Sequence, residues 1–197
     1  MSRVVDRIEV INFLIDARGY RRYLEIGCQY DVSFHAVRAA EKVGVDPASG
    51  GTLRMPSDEF FALAVEPFDV VLIDGDHHHD QVFRDVCHAL RLLRPGGVVV
   101  MHDCLPPTAG HEALSLCGTA WRAFAKTRER PDIESFTGDF DFGVGIVQKR
   151  RNSAPVRIDR PMAALTYADF TANREAWMRP LSPDGVKILA LTGPDAW

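Results

Sequence analysis

The stretch that leaves this chain the least freedom is residues 68–101, FDVVLIDGDHHHDQVFRDVCHALRLLRPGGVVVM. Its run Val70-Val71-Leu72-Ile73 has no polar alternation, so it reads as a strand covered on both faces. Beyond it, Val82, Val86, Ala89, Leu90 and Leu93 fall on one side of a helix over residues 80–93. Pro95-Gly96-Gly97 stops that helix, and VVVMHD follows as a second strand covered on both faces. Two such strands joined by one amphipathic helix require a parallel pair with a crossover connection, and therefore a sheet with helices on both sides.

The rest of the chain extends the same alternation. In MSRVVDRIEVINFLIDARGY, Val5, Ile8, Ile11, Leu14 and Ile15 keep helical spacing and Gly19 closes the helix. Arg3, Asp6, Arg7 and Glu9 interrupt it too often for a signal peptide. RYLEIG is the first strand, DVSFHAVRAAEK a helix, VGVD a second strand and TLRM a weak third. Ser57 is placed to cap a helix over DEFFALAV, and another helix is expected around residues 119–128. DIESFT and FGVGIVQK are separated only by Gly138-Asp139-Phe140-Asp141, too short for a crossover, so they form an antiparallel hairpin. The expected fold is α/β: a doubly wound, mostly parallel Rossmann-like sheet ending in that hairpin.

Residues 1–150 make one cofactor-binding domain, and residues 151–197 an extension that packs on it or serves as a cap or oligomer arm. Within the extension TYADFTANREAWM opens with Thr166 and Asp169 at capping-box spacing, while SPDGVKILALTGPDAW suits either a helix or a strand.

With 46% hydrophobic and 25% charged residues, the 197-residue chain is long enough to bury a core. A net charge of -4 and no aromatic-plus-basic surface argue against nucleic acid as a partner. No apolar run reaches the ~20 residues that span a bilayer, so no membrane partner is expected. Cys28, Cys87, Cys104 and Cys117 show no CxxC spacing, which points to a reduced, cytoplasmic protein.

Sheets of this kind bind ligands beyond the carboxyl ends of their strands. Here those ends read Glu25-Ile26-Gly27, Asp46, Asp74-Gly75-Asp76-His77 and His102-Asp103, acids and imidazoles beyond apolar interiors. Asp74 and Asp103 would converge if their strands are neighbours, about 4.8 Å apart. A carboxylate–imidazole set suits either a divalent ion or proton transfer.

The ordered set YLEIGCQYDVSF, VGVDP, IDGDH, PGG and HDC resembles the class I S-adenosylmethionine-dependent methyltransferases. It resembles most the branch holding small-molecule O-methyltransferases of macrolide-sugar type, and the likeness spans roughly residues 22–149. It implies S-adenosylmethionine as cofactor and a small hydroxylated acceptor, a sugar or a phenol. By the resemblance Glu25 and Gly27 hold the methionine end, Cys28 lines the glycine turn, and Asp46 takes the ribose hydroxyls. Ser57 and Asp58 sit where the family contacts adenine, and Asp74 closes the cofactor site. Asp74, Asp76, His102 and Asp103 are the candidate ligands of Mg²⁺ or Mn²⁺, while His77, His102 and Asp103 are the candidate catalytic groups. The last glycine of the family's glycine turn is Asp31 here, a residue that tolerates left-handed backbone. Two other readings stay open: a metal-free enzyme with His77 or His102 as sole base, and a non-catalytic nucleoside-cofactor-binding or assembly module.

Overall fold

The computed structural model describes residues 5–63 and 66–191. The expected N-terminal helix therefore loses residues 1–4, the DEFFALAV helix residues 64–65, and the closing tail residues 192–197, all of which lie outside the described residues.

Along the chain the elements are α1 (Arg7–Arg18), β1 (Arg22–Ile26), α2 (Val32–Ala36), β2 (Glu41–Val45), α3 (Ser57–Ala62), β3 (Phe68–Ile73), α4 (His79–Leu92) and β4 (Leu93–Met101). They continue with α5 (Ala120–Thr127), β5 (Ile133–Gly138), β6 (Val144–Lys149), α6 (Tyr167–Met178), β7 (Pro180–Leu181) and α7 (Pro183–Leu191). One seven-stranded sheet results, in the order β2-β1-β3-β4-β6-β5-β7. β2, β1, β3 and β4 run parallel, and β6 is antiparallel to both of its neighbours, β4 and β5. The hairpin and the mostly parallel sheet are as the sequence predicts.

The period of two in β3 divides the core. Val71 and Ile73 face the side covered by Val82, Val86, Ala89 and Leu90 of α4 and by Trp121 and Phe124 of α5. Val70 and Leu72 face the side covered by Val10, Ile11, Leu14 and Ile15 of α1 and by Val186 and Ala190 of α7. Helix ends follow local chemistry: Asp6 caps α1 by accepting the Glu9 N–H at 2.8 Å, and Gly19 closes it in the left-handed region. Thr166 and Asp169 form the expected capping box of α6.

Five expectations change in detail. Ser57 is the first residue of α3 rather than its cap, which falls at Pro56 without a side-chain capping bond. The helix after the first strand stops at Ala36, because the buried Asn12 of α1 takes the Ala36 carbonyl and the Arg38 N–H for its own side chain. TLRM contributes a single bridge, Leu53 to Val45, rather than a strand. Pro95-Gly96-Gly97 lies inside β4 as an irregularity, with the register slipping between Phe68↔Leu93 and Val70↔Val98. The ambiguous closing segment is a helix, α7, and Pro180–Leu181 adds a short parallel edge to β5.

Candidate functional site

The parallel strands deliver their carboxyl ends to one line. Gly27 N–H reaches the Val45 carbonyl, Asp74 N–H the Ile26 carbonyl and His102 N–H the Ile73 carbonyl, at 2.8–3.1 Å. Above this line opens a cavity of about 860 Å³. Its wall includes Glu25, Gly27, Cys28, Asp46, Asp74, Asp76, His77, His102 and Asp103 of the expected set. Ser57 and Asp58 are not in that wall; both accept from Gln81 of α4 instead.

The glycine turn keeps its shape without its last glycine. Gly27, Gln29 and Asp31 all have positive φ, and Asp31 adopts the left-handed conformation at φ 61°. Its carboxylate then accepts the Gly51 N–H at 2.6 Å, so the side chain that replaces glycine ties the turn to the loop after β2. Gly27 cannot be replaced: a Cβ there would lie 2.2 Å from the Asp74 carbonyl oxygen.

Asp46 is more deeply engaged than a ribose acceptor needs to be. One carboxylate oxygen accepts from Cys28 and Gln29 N–H at 3.0 and 2.9 Å, the other from Ala48 and Ser49 N–H at 2.7 and 2.8 Å. A carboxylate has about four acceptor positions, so Asp46 knits the glycine turn to the next loop. Burial alone would raise its pKa, but the four amides outweigh burial and lower it.

At the floor Glu25 is 2% exposed and accepts the Tyr23 hydroxyl at 2.5 Å. Burial raises its pKa from 4.5 to about 7 against the pull of that hydrogen bond.

The densest chemistry lies where β3 and β4 end. His102 Nδ1 is 3.1 Å from Asp74 and 3.2 Å from Asp103, and its Nε2 is 3.4 Å from Asp141. Burial disfavours the imidazolium, yet Asp103, Asp141 and Asp74 together raise His102 to about 11. His102 thus favours the charged, donating form at neutral pH. Asp74 falls to about 2: burial opposes this, but hydrogen bonds from His102 and His77 outweigh it. His77 Nε2 stands 3.4 Å from Asp103 and 3.8 Å from Asp74, while its Nδ1 meets the Leu116 carbonyl. If Nδ1 carries the proton toward that carbonyl, Nε2 is the nitrogen that gains or loses a proton, beside those two carboxylates. The hydrogen bond with Asp74 raises the His77 pKa, ahead of the opposing effect of burial. Asp76 has another task, accepting the His78 N–H at 2.7 Å, and does not join the Asp74–His102–Asp103 group.

Three participants escape the sequence reading. Arg7 reaches in from the first turn of α1, with Nε 3.2 Å from Asp74 and Nη1 3.0 Å from Asp141. Asp141 and Phe142 occupy the β5–β6 turn, both at positive φ, and Phe142 meets His102 edge-on at a centroid distance of 6.5 Å and His111 at a tilt at 6.1 Å. The hairpin carries the signal for the last two. An antiparallel β6 beside β4 must begin where β4 ends, so its turn has to overhang this site. His111 lines the cavity, as a residue of a covering loop should. Trp121 of α5 is fully buried in the core and donates to Glu112 at 3.0 Å.

The cavity has room for an S-adenosylmethionine-sized ligand, and Glu25 and Asp74 in its wall give it the acidic lining a cationic cofactor calls for. A divalent ion fits less well. One donor atom each from Asp74, His102 and Asp103 lie within 4.8 Å of one another, but the Arg7 guanidinium is already paired with this cluster.

Residues 24–104 match a family described as a methyltransferase domain. No curated protein matches the chain significantly. Among solved structures, the chain is similar to the O-methyltransferase TomG of Streptomyces achromogenes at 19% identity and TM-score 0.55, over 75% of this chain and 82% of that one. It is similar to the methyltransferase PaMTH1 of Podospora anserina at 18% and 0.56, over 73% and 78%. A Bacillus cereus O-methyltransferase aligns at 17% and 0.51, over 75% and 83%. At these identities the structural likeness speaks for the fold. The match to a methyltransferase domain covers the strand ends that carry the cavity, from Leu24 in β1 to Cys104 just beyond β4.

Proposed function

We propose that the protein methylates an oxygen of a small hydroxylated metabolite, a sugar or a phenol, with His77 as the general base. The carrying observation is that one cavity joins the glycine turn and Glu25 to the His77–Asp103 pair. S-adenosylmethionine, when bound, supplies a methyl carbon on a cationic sulfur. Glu25, Gly27 and Cys28 hold its methionine end in this reading, and Asp46 shapes the turn that receives it. Its adenine is assigned to neither Ser57 nor Asp58, which are engaged by α4.

A neutral hydroxyl is a poor nucleophile, so the transfer needs a base within hydrogen-bond reach. His77 Nε2 takes the acceptor's proton as the new O–C bond forms and the C–S bond breaks. Asp103 then steadies the resulting imidazolium from 3.4 Å. Residues 1–150 act as the catalytic domain, and the 151–197 extension supports the loop after β4, where the Tyr167 hydroxyl donates to the Pro106 carbonyl at 3.3 Å. Four free cysteines suit a reducing, cytoplasmic setting. The Mg²⁺ or Mn²⁺ of the family resemblance is left out of this mechanism.

The test is calorimetric titration with S-adenosylhomocysteine, followed by transfer of a labelled methyl group to a panel of sugars and phenols. Micromolar binding with label in an ether product supports the proposal. Binding without transfer across the panel favours the cofactor-binding module instead, and no binding removes both.

A further inference from the structure

The acid cluster holds more negative charge than its surroundings would tolerate unless something balances it. Asp74, Asp103 and Asp141 converge on His102 from three different segments: the end of β3, the end of β4 and the β5–β6 turn. The balancing group comes from a fourth. Arg7 sits in the first turn of α1, fixed there by the Asp6 cap, and its side chain is only 21% exposed. Its Nε lies 3.2 Å from Asp74 Oδ2, and its Nη1 lies 3.0 Å from Asp141 Oδ2 and 3.3 Å from His102 Nε2. The Arg7 backbone N–H also donates to Asp141 at 3.0 Å, so helix and side chain are anchored to the same carboxylate. One guanidinium thus bridges the carboxyl end of β3 to the hairpin turn and lines the cavity beside the reacting groups.

A guanidinium is planar, permanently charged and built to bridge two carboxylates. A divalent ion drawn to Asp74, His102 and Asp103 would share the Asp74 carboxylate with that guanidinium, which pairs with its Oδ2, and leave two cations crowded together. It would also strand Arg7 in a part-buried position with one of its carboxylates taken.

We propose that Arg7 is this enzyme's built-in replacement for the divalent cation, making methyl transfer metal-independent and leaving the acid cluster closed to Mg²⁺ and Mn²⁺ as long as Arg7 is present. The inference rests on the methyltransferase reading of the same cavity, and assigns Arg7 as a positioning residue. Arg7 holds Asp74 and Asp141 in place around His102, which in turn orders the Asp103 carboxylate facing His77.

Mn²⁺ itself is the probe, read by calorimetry and by the electron paramagnetic resonance of the free ion, so the metal question does not depend on turnover. Wild-type protein, Arg7→Ala and Arg7→Gln are compared, with S-adenosylhomocysteine titrated into each to report on the cofactor site separately. The expected result is no Mn²⁺ uptake by wild type below millimolar concentration, and a methyl-transfer rate unchanged by a chelator. Either Arg7 variant should gain at least tenfold in Mn²⁺ affinity, and added Mn²⁺ should restore part of its lost rate. Micromolar Mn²⁺ binding by the wild type, or loss of its transfer on chelation with S-adenosylhomocysteine binding intact, would overturn the proposal. So would folded variants that gain no affinity. Absence of S-adenosylhomocysteine binding in the wild type would sink the methyltransferase reading instead, and the Mn²⁺ arms would still report on Arg7.

Discussion

Glu25 turns burial at the cavity floor into a measurable pH dependence. Its pKa is raised from 4.5 to about 7, chiefly because burial disfavours the charged form. A carboxyl whose folded pKa lies above its unfolded value binds more protons in the folded state. Its contribution is fully present below pH 4.5 and is lost as pH rises through about 7. At about 1.4 kcal/mol per pKa unit, a shift of this size is worth roughly 3 kcal/mol, most of it lost between pH 5 and 8. Glu25→Gln keeps the shape, still accepts from Tyr23, and cannot ionise. Denaturant unfolding of wild type and variant at half-unit steps over that range isolates the effect, since other titrating groups are common to both. The stability gap between variant and wild type should widen in the variant's favour with pH by about 2 kcal/mol. Parallel profiles would refute the reasoning, because they would mean that Glu25 ionises in the folded protein as it does in water.

The same shift predicts a signature of cofactor binding. A cationic ammonium brought to Glu25 favours the carboxylate, so binding at pH 6 should release a proton that is absent in Glu25→Gln. Calorimetry in buffers of different ionisation enthalpy counts that proton directly, and identical apparent enthalpies in all buffers would separate Glu25 from the cofactor.

Three substitutions test the remaining assignments. Asp46→Ala leaves the Cys28, Gln29, Ala48 and Ser49 amides without their shared acceptor. It should cost about 2 kcal/mol of stability together with most of the S-adenosylhomocysteine affinity; an unmoved denaturation midpoint would show that the amides do not depend on Asp46. Gly27→Ala places a methyl 2.2 Å from a backbone carbonyl at φ +89°, for a loss of at least about 2 kcal/mol, and normal thermal stability of that variant would contradict the packing described for the turn. For His77→Gln the sign follows from the role: a base works when deprotonated, so the wild-type rate should climb as pH rises through the raised His77 pKa. The variant should be roughly a hundredfold slower and flat over that range, whereas a variant that keeps the same rise would move the base elsewhere.

What could be read in the sequence was what local pattern encodes. The runs at Val70–Ile73 and Val98–Met101 have no polar face to expose, so β3 and β4 could be nothing but inner strands, and their acidic ends had to meet at the cavity. Pattern failed where a tertiary contact overrides it. Helix composition after β1 could not reveal that the α1 residue Asn12 would take two backbone groups and stop α2 at Ala36. Nor could spacing tell that Asp46 would spend its oxygens on four amides, since two of those donors lie in a turn 17 and 18 residues away.

His102 marks the same limit in chemistry. As a residue type it is an obvious base, and the strand-end acids Asp74 and Asp103, joined by Asp141 from a hairpin turn, turn it into a proton holder. A histidine among three carboxylates holds its proton and donates, while His77, a cavity-wall residue, is anchored through Nδ1 to a loop carbonyl and has its Nε2 beside Asp103. Residue type at the strand ends therefore named the groups able to move a proton. The division proposed for them, a structural cation at His102 and a base at His77, draws on groups more than 30 positions away in sequence, the Arg7 guanidinium and the Leu116 carbonyl.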